Sequence, residues 1–62
     1  MMRQERFRVK VWEAIIDVTA DQSSKTVWVA TGTYLGQTFS VKNSSASSAV
    51  KAWVEAARYR GN

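Results

Sequence analysis

The segment from Lys25 to Lys42, KTVWVATGTYLGQTFSVK, places the tightest limit on the fold of this chain. Apolar and polar residues alternate on both sides of Leu35-Gly36, which is the pattern of two strands joined by a tight turn. Because side chains in a strand alternate between faces, a shift of one residue in the pairing exchanges buried side chains for exposed ones. The turn therefore decides whether Trp28 and Tyr34 lie in the core or form a solvent-facing aromatic surface.

Two pairing registers are compatible with this hairpin. A two-residue turn at Leu35-Gly36 puts one set of residues on a common face: Trp28, Ala30, Gly32, Tyr34, Phe39 and Val41. A three-residue turn reverses the first arm, so that Trp28 and Tyr34 stand outward beside Lys42. We favour the first register because it matches large side chains with small ones across the strands and collects the Thr and Ser residues on one solvated face.

The first regular segment, Phe7 to Thr19, is rich in β-branched and aromatic residues, which favour strands. The apolar phase changes after Trp12, and such a change within one long strand indicates a β-bulge or a sharp bend near Trp12-Glu13. The alternative is a helix, since short apolar runs are ambiguous, with Val9, Trp12, Ile16 and Thr19 on one side. Residues 20–24 are expected to form a polar connection.

The C-terminal part of the sequence predicts a helix. Apolar residues recur at steps of three and four, as on one side of a helix: Ala46, Ala49, Val50, Trp53, Ala56 and Ala57. Residues 43–45 offer N-cap side chains, and Gly61 can end the helix. Arg58 and Arg60 suit the negative end of the helix dipole. The expected fold is α+β, a three-stranded antiparallel sheet (β-β-β-α) with one C-terminal helix packed on one face.

Length and composition restrict the possible functions. We expect one domain over the 62 residues, with residues 1–6 as a flexible basic arm. A chain with no Cys and no His is expected to have no metal site, no cofactor and no histidine-activated nucleophile, so we expect no enzyme activity. No apolar run approaches the roughly 20 residues of a membrane span, and no signal peptide is recognised. A cytoplasmic protein without a membrane partner is therefore expected.

The net charge of +4 is unevenly distributed along the chain. Residues 1–10 and 42–62 each carry a net charge of +3, whereas residues 11–41 carry −2. Basic termini of this kind suit a polyanion such as DNA or RNA, and an aromatic ring beside them can stack on a base. The candidate nucleic-acid-binding residues are therefore Arg3, Arg6, Arg8, Lys10, Trp12, Lys42, Arg58 and Arg60.

Three of the polar and aromatic features have simple structural roles. Glu13, Asp17 and Asp21 form the main acidic group, but on a strand Glu13 and Asp17 lie more than about 10 Å apart. A solvated face accounts for them better than a cation site. N-capping accounts for the serines before the helix better than phosphate binding does. Trp12 can close an edge of the core or meet a partner subunit instead of stacking on bases.

The segment Ala49 to Gly61, AVKAWVEAARYRG, resembles the helix of plant ethylene-response-type DNA-binding domains, whose fold is three strands followed by one helix. In that family the helix supports the sheet, and Arg and Trp residues on the free face of the sheet read DNA. The half from Lys25 to Arg60 also resembles the end of double-stranded-RNA-binding domains. This chain lacks the Arg-rich reading pattern of the first family and the basic pair of the second, where it has Ala46, Ser47 and Ser48. The resemblances therefore imply a fold and carry over no binding residues.

A second hypothesis is a module that forms a homodimer or binds a protein partner. Exposed β-branched residues on an uncovered sheet suit an interface, and a small core gains stability from association. The residues expected in this interface lie on the sheet face away from the helix, at Ile15, Val27 and Val29.

Overall fold

The computed structural model describes residues 3–60 as a four-stranded antiparallel sheet with one helix packed on it. The elements follow in the order β1 (Gln4–Val11), β2 (Ala14–Ser24), β3 (Val27–Tyr34), β4 (Gln37–Asn43) and α1 (Ala46–Arg60). Each strand pairs with the next in the sequence, so the sheet is a meander. The α+β class and the C-terminal helix are confirmed, whereas the expected number of three strands is wrong.

The extra strand comes from the segment that was expected to be one bent strand or a helix. Val11 pairs with Ala14, so Trp12 and Glu13 form a two-residue hairpin turn between β1 and β2. Trp12 has a positive φ of 54° in this turn, a conformation that Gly, Asn or Asp usually supplies. The change of apolar phase therefore indicates a turn. The turn is hard to recognise in the sequence because Trp-Glu is not a typical turn pair.

Two segments that were expected to be irregular belong to strands. Residues 4–6, assigned to a basic arm, begin β1 and pair with β2, while residues 1 and 2 lie outside the described residues. Residues 20–24, expected to be a polar connection, continue β2, and Ala20 is fully buried. Polar side chains are compatible with this strand because one face of an antiparallel sheet can be solvated.

The β3–β4 hairpin has the register that the size matching of its side chains favours. Tyr34 pairs with Gln37, so Leu35-Gly36 is a two-residue turn with φ values of 55° and 76°. Positive φ at both central residues is the type I′ pattern, whose twist matches that of the strands. Trp28 and Tyr34 are consequently buried on the helix side and form no solvent-facing surface.

The core lies between α1 and one face of the sheet. Trp53 is fully buried at its centre; its ring stacks on Phe39 with a centroid distance of 4.8 Å, and its Nε1 donates to the Phe39 carbonyl oxygen at 3.0 Å. Gly32 lies under the indole, where a Cβ would come within 2.7 Å of Trp53 Cζ2. The other buried apolar residues surround this contact: Val11, Val18, Ala20, Trp28, Ala30, Tyr34, Ala49, Val50 and Ala57.

The helix begins as its sequence predicts. Ser45 is the N-cap residue, because its Oγ accepts a hydrogen bond from the Ser48 amide at 3.2 Å. Arg58 and Arg60 lie in the last turn, where cations interact favourably with the helix dipole. Gly61, which was expected to end the helix, lies outside the described residues.

Candidate nucleic-acid interface

One face of the sheet is covered by α1, and no other element of residues 3–60 covers the opposite face, which we call the open face. Strand alternation and the pairing registers place residues of all four strands on it. These are Gln4, Arg6, Arg8 and Lys10 of β1, Ile15, Asp17, Thr19 and Asp21 of β2, Val27, Val29, Thr31 and Thr33 of β3, and Thr38, Ser40 and Lys42 of β4.

Several of the predicted nucleic-acid-binding residues lie on the open face. Arg6, Arg8 and Lys10 follow one another along β1, with about 7 Å between successive Cα atoms because each is two strand rises from the next. Lys42 lies on β4, the outer strand on the other side of the sheet, level with Gln4. It is roughly 16 Å from Arg6, across three strand spacings and two residues along the strand. Cations therefore mark both edges of the open face. Arg3 is exposed just before β1.

Hydroxyl groups occupy the β3–β4 side of the open face. Thr31 Oγ1 is 3.1 Å from Ser40 Oγ, and Thr33 Oγ1 is 2.7 Å from Thr38 Oγ1, so each pair shares a hydrogen bond across β3 and β4. A hydroxyl both donates and accepts hydrogen bonds. This side of the open face can therefore bind hydrogen-bond donors and acceptors alike.

Two carboxylates of β2 reduce the positive charge of the open face. Arg8 Nε and Asp17 Oδ1 are 3.4 Å apart, which is the one ion pair within 4 Å in the part of the chain that the structure describes. Both side chains are exposed, so the pair is weak and Arg8 can exchange its partner. Asp21 accepts a hydrogen bond from Gln4 Nε2 at 2.7 Å. One long strand over residues 7–19 would not bring these carboxylates beside the cations; the pairing of β1 with β2 does.

The aromatic side chains of the strands point away from the open face. Trp28 and Tyr34 are buried toward the helix, and Phe7 and Phe39 pack against the same core. The described strands consequently offer no ring on the open face against which an unpaired base could stack. This face presents charges and hydroxyls instead.

The structure places the other predicted residues on the helix side of the sheet. The Arg58 guanidinium carbon lies 5.1 Å from the Trp12 ring centroid, and Trp12 Nε1 donates to the Arg58 carbonyl oxygen at 3.3 Å. The Arg60 guanidinium carbon lies 4.3 Å from the Phe39 ring centroid, and its Nη1 donates to Gln37 Oε1 at 3.1 Å. Trp12, Arg58 and Arg60 thus form a separate group at the end of the helix, and Arg58 covers part of the indole that was expected to stack on bases.

The residues of the alternative interface lie on the open face but apart from one another. Ile15 is near the start of β2, whereas Val27 and Val29 are near the start of β3, at the opposite end of the sheet. From Ile15 to Asp21, which pairs with Val29, the strand advances about 20 Å. Polar residues of β2 lie between, so the three residues form no continuous apolar patch.

Within residues 3–60, no three His, Cys, Asp or Glu side chains cluster as metal ligands would. The helix of this region lacks the length and apolar character needed to cross a bilayer. Comparison of the chain with protein-family models, curated proteins and solved structures found no match.

Proposed function

We propose that the protein is a small, non-enzymatic nucleic-acid-binding module that places its open face against duplex DNA. The arrangement of the open face carries this proposal, because its cations lie on both outer strands and hydroxyl groups lie on β3 and β4 beside Lys42. A face of this kind can meet two phosphate backbones at once and still offer hydrogen-bonding groups to what lies between them.

The width of the sheet supports a duplex groove as the contact. The outer strands lie about 14 Å apart, and the major groove of B-DNA is roughly 12 Å wide and admits only a two-stranded ribbon, so the sheet would lie across the groove with its edges at the two backbones. Arg6 and Lys42 would then lie near opposite backbones, while Thr31 and Ser40 would face base edges. Hydroxyl groups bind donors and acceptors alike. We therefore expect binding that is largely electrostatic and weakly selective for sequence.

The orientation of the aromatic residues supports a duplex rather than a single strand. Modules that bind single strands stack bases on aromatic rings, and each stack contributes about 1–3 kcal/mol. Trp28, Tyr34 and Phe39 are directed toward the helix instead. The major groove of double-stranded RNA is deep and narrow, so the proposed contact across a major groove suits duplex DNA better. Duplex DNA is therefore the partner that this face suits best.

Two alternative roles for the open face have weaker support. Charged side chains on the outer strands β1 and β4 also discourage edge-to-edge aggregation, but this role does not account for the hydroxyl pairs across β3 and β4. Burial of the open face in a homodimer or against a protein would remove Asp17 and Asp21 from water, at a free-energy cost that favourable pairing would have to offset.

Titration of a labelled mixed-sequence DNA duplex at several salt concentrations tests the proposal. The double variant Arg6→Gln with Lys42→Gln removes one cation from each edge of the open face. The matched control, Lys25→Gln with Lys51→Gln, removes the same charge from the β2–β3 turn and from the exposed side of α1.

We expect the slope of log affinity against log salt to become shallower by about 1.8 in the first variant, since each lost phosphate contact removes about 0.9. The control should keep nearly the wild-type slope. Equal losses in the two variants would contradict the proposal, because diffuse charge would then account for the binding. Absence of any binding at low salt would also refute it.

A further inference from the structure

Four large apolar side chains are exposed among residues 3–60; Ile15 lies on the open face, and the other three gather at one end of the molecule. Trp12 and Leu35 lie in the β1–β2 and β3–β4 turns, which a meander places at the same end of the sheet. The helix runs back to this end, where Arg60 reaches the first residue of β4, and it brings Tyr59 there. Trp12, Leu35 and Tyr59, which we call the apical cluster, are 52%, 69% and 78% exposed.

Both turns carry these side chains in an unfavourable backbone conformation. Trp12 and Leu35 have φ values of 54° and 55°, in the left-handed region where Gly, Asn and Asp are favoured over large apolar residues. Leu35 is mostly exposed, so burial within the fold does not offset this cost there, whereas the contact with Arg58 offsets part of it at the half-exposed Trp12. Unfavourable backbone together with exposed apolar surface points to a role for these side chains outside the fold.

Arg58 and Arg60 lie between the tips of the two hairpins, and the carboxylates of Glu13 and Glu55 lie at the same end. Arg58 packs over Trp12, and Arg60 donates to Gln37 directly after the second turn. Trp and Tyr side chains favour the interface of a bilayer, because their rings are apolar and carry a polar group. Arg and Lys beside them attract anionic headgroups. The apical cluster and its arginines thus combine the side chains that suit an anionic membrane surface.

The dimensions of this end favour a membrane over a protein partner. The Cα atoms extend 35 × 17 × 16 Å, and the long axis follows the strands, so the apical end is narrow. An end of this cross-section buries a few hundred Å² against a rigid partner, below the roughly 800 Å² per partner of a standard protein interface. Separate projecting tips can enter a fluid headgroup layer, which does not require a complementary surface.

We propose that the apical cluster binds the surface of an anionic lipid bilayer, with its three side chains in the headgroup region and Arg58 and Arg60 near lipid phosphates. The expectation of no membrane partner depends on the absence of a spanning segment, and a peripheral contact needs none. The apical cluster is separate from the open face, so this proposal stands independently of DNA binding.

Sedimentation of the full chain with lipid vesicles provides the test. The vesicles contain phosphatidylcholine alone or equal parts of phosphatidylcholine and phosphatidylglycerol, and we expect binding to the second kind. Tryptophan fluorescence gives another readout. Because Trp28 and Trp53 are buried, a shift of the emission to shorter wavelength on vesicle addition would come from Trp12.

The variant Leu35→Asn separates binding from folding. Asn-Gly is the preferred pair in a type I′ turn, so this change keeps the hairpin while it removes the apolar side chain. We expect about tenfold weaker vesicle binding, the factor that corresponds to the burial of one Leu side chain, with DNA binding unchanged. Arg58→Gln with Arg60→Gln should remove the preference for anionic vesicles. Val27→Thr, at the opposite end of the sheet, should bind vesicles as the wild type does.

Three results would overturn the proposal. One is the absence of vesicle binding at low salt, and another is wild-type binding by Leu35→Asn. The third is a molecular mass that rises with protein concentration in the wild type but not in Leu35→Asn, with or without lipid. This last result would assign the apical cluster to a second copy of the chain.

Discussion

The indole of Trp53 lies directly over Gly32, at a position where a side chain on the strand would meet the ring at 2.7 Å. The same indole stacks on Phe39 and donates to its carbonyl oxygen. One residue of the helix is therefore fixed to β3 and β4 together. This contact holds α1 on one face of the sheet and leaves the opposite face, with its cations and hydroxyls, open to a ligand.

The contact makes Gly32→Ala a sensitive test of helix docking. The new methyl group has to displace the buried ring, and we expect a loss of about 1–3 kcal/mol in the free energy of unfolding. Urea denaturation measures it. Thr33→Ala changes the adjacent, exposed residue and should cost less. Unchanged stability of Gly32→Ala would show that the helix does not lie on this glycine.

Because Leu35 has a positive φ, we expect two substitutions at this position to change the free energy of unfolding in opposite directions. Leu35→Asn should raise the free energy of unfolding by about 1 kcal/mol, because Asn tolerates the left-handed conformation and Leu does not. Leu35→Val should lower it, since a β-branched residue is least compatible with that φ. Thermal unfolding compares the two variants. The same sign in both would contradict the turn geometry.

The N-cap hydrogen bond of Ser45 predicts a local effect on the helix. Ser45→Ala removes the acceptor of the Ser48 amide, and we expect a loss of about 1 kcal/mol. Ser47→Ala is the control, because Ser47 is exposed on the first turn and should change stability by no more than about 0.5 kcal/mol. Equal losses in the two variants would argue against Ser45 as the cap.

Removal of a carboxylate from the open face should increase its affinity for duplex DNA. Asp21→Asn keeps an acceptor for the Gln4 amide but removes a negative charge from the face that we propose meets phosphates. We expect severalfold tighter duplex binding at low salt, and the gain should decline as salt screens the charge. Glu13→Gln makes the same charge change in the β1–β2 turn. If it raised the affinity as much, the location of the charge would not matter.

The second half of the fold could be predicted from the sequence because its local patterns and its packing agree. The two-residue turn at Leu35-Gly36 places Gly32 opposite Phe39, and the three- and four-residue apolar spacing identifies the helix that covers them. The first half could not be predicted in the same way. Its turn contains Trp12 in a conformation that local sequence disfavours, and a contact with Arg58 at the other end of the chain holds that residue in place.

The candidate site was likewise predictable only in part. Alternation along the first strand predicts that Arg6, Arg8 and Lys10 lie on one face. They do so in the structure, although the sheet has four strands instead of the expected three. The positions of Arg58 and Arg60 depend on which face the helix covers and on the direction in which it runs. Neither can be inferred from the positions of charges along the sequence. The separation of the two basic termini onto different surfaces could therefore not be predicted.

The most direct test of the open face as the binding surface is an NMR titration of the labelled chain with a short DNA duplex. We expect the largest shift changes at the backbone amides of β1 and β4 and at the side chains of Arg6, Arg8 and Lys42. The Arg58 and Arg60 guanidinium signals should change little. Changes concentrated at Arg58 and Arg60, with β1 and β4 unaffected, would contradict the proposal that duplex DNA binds the open face.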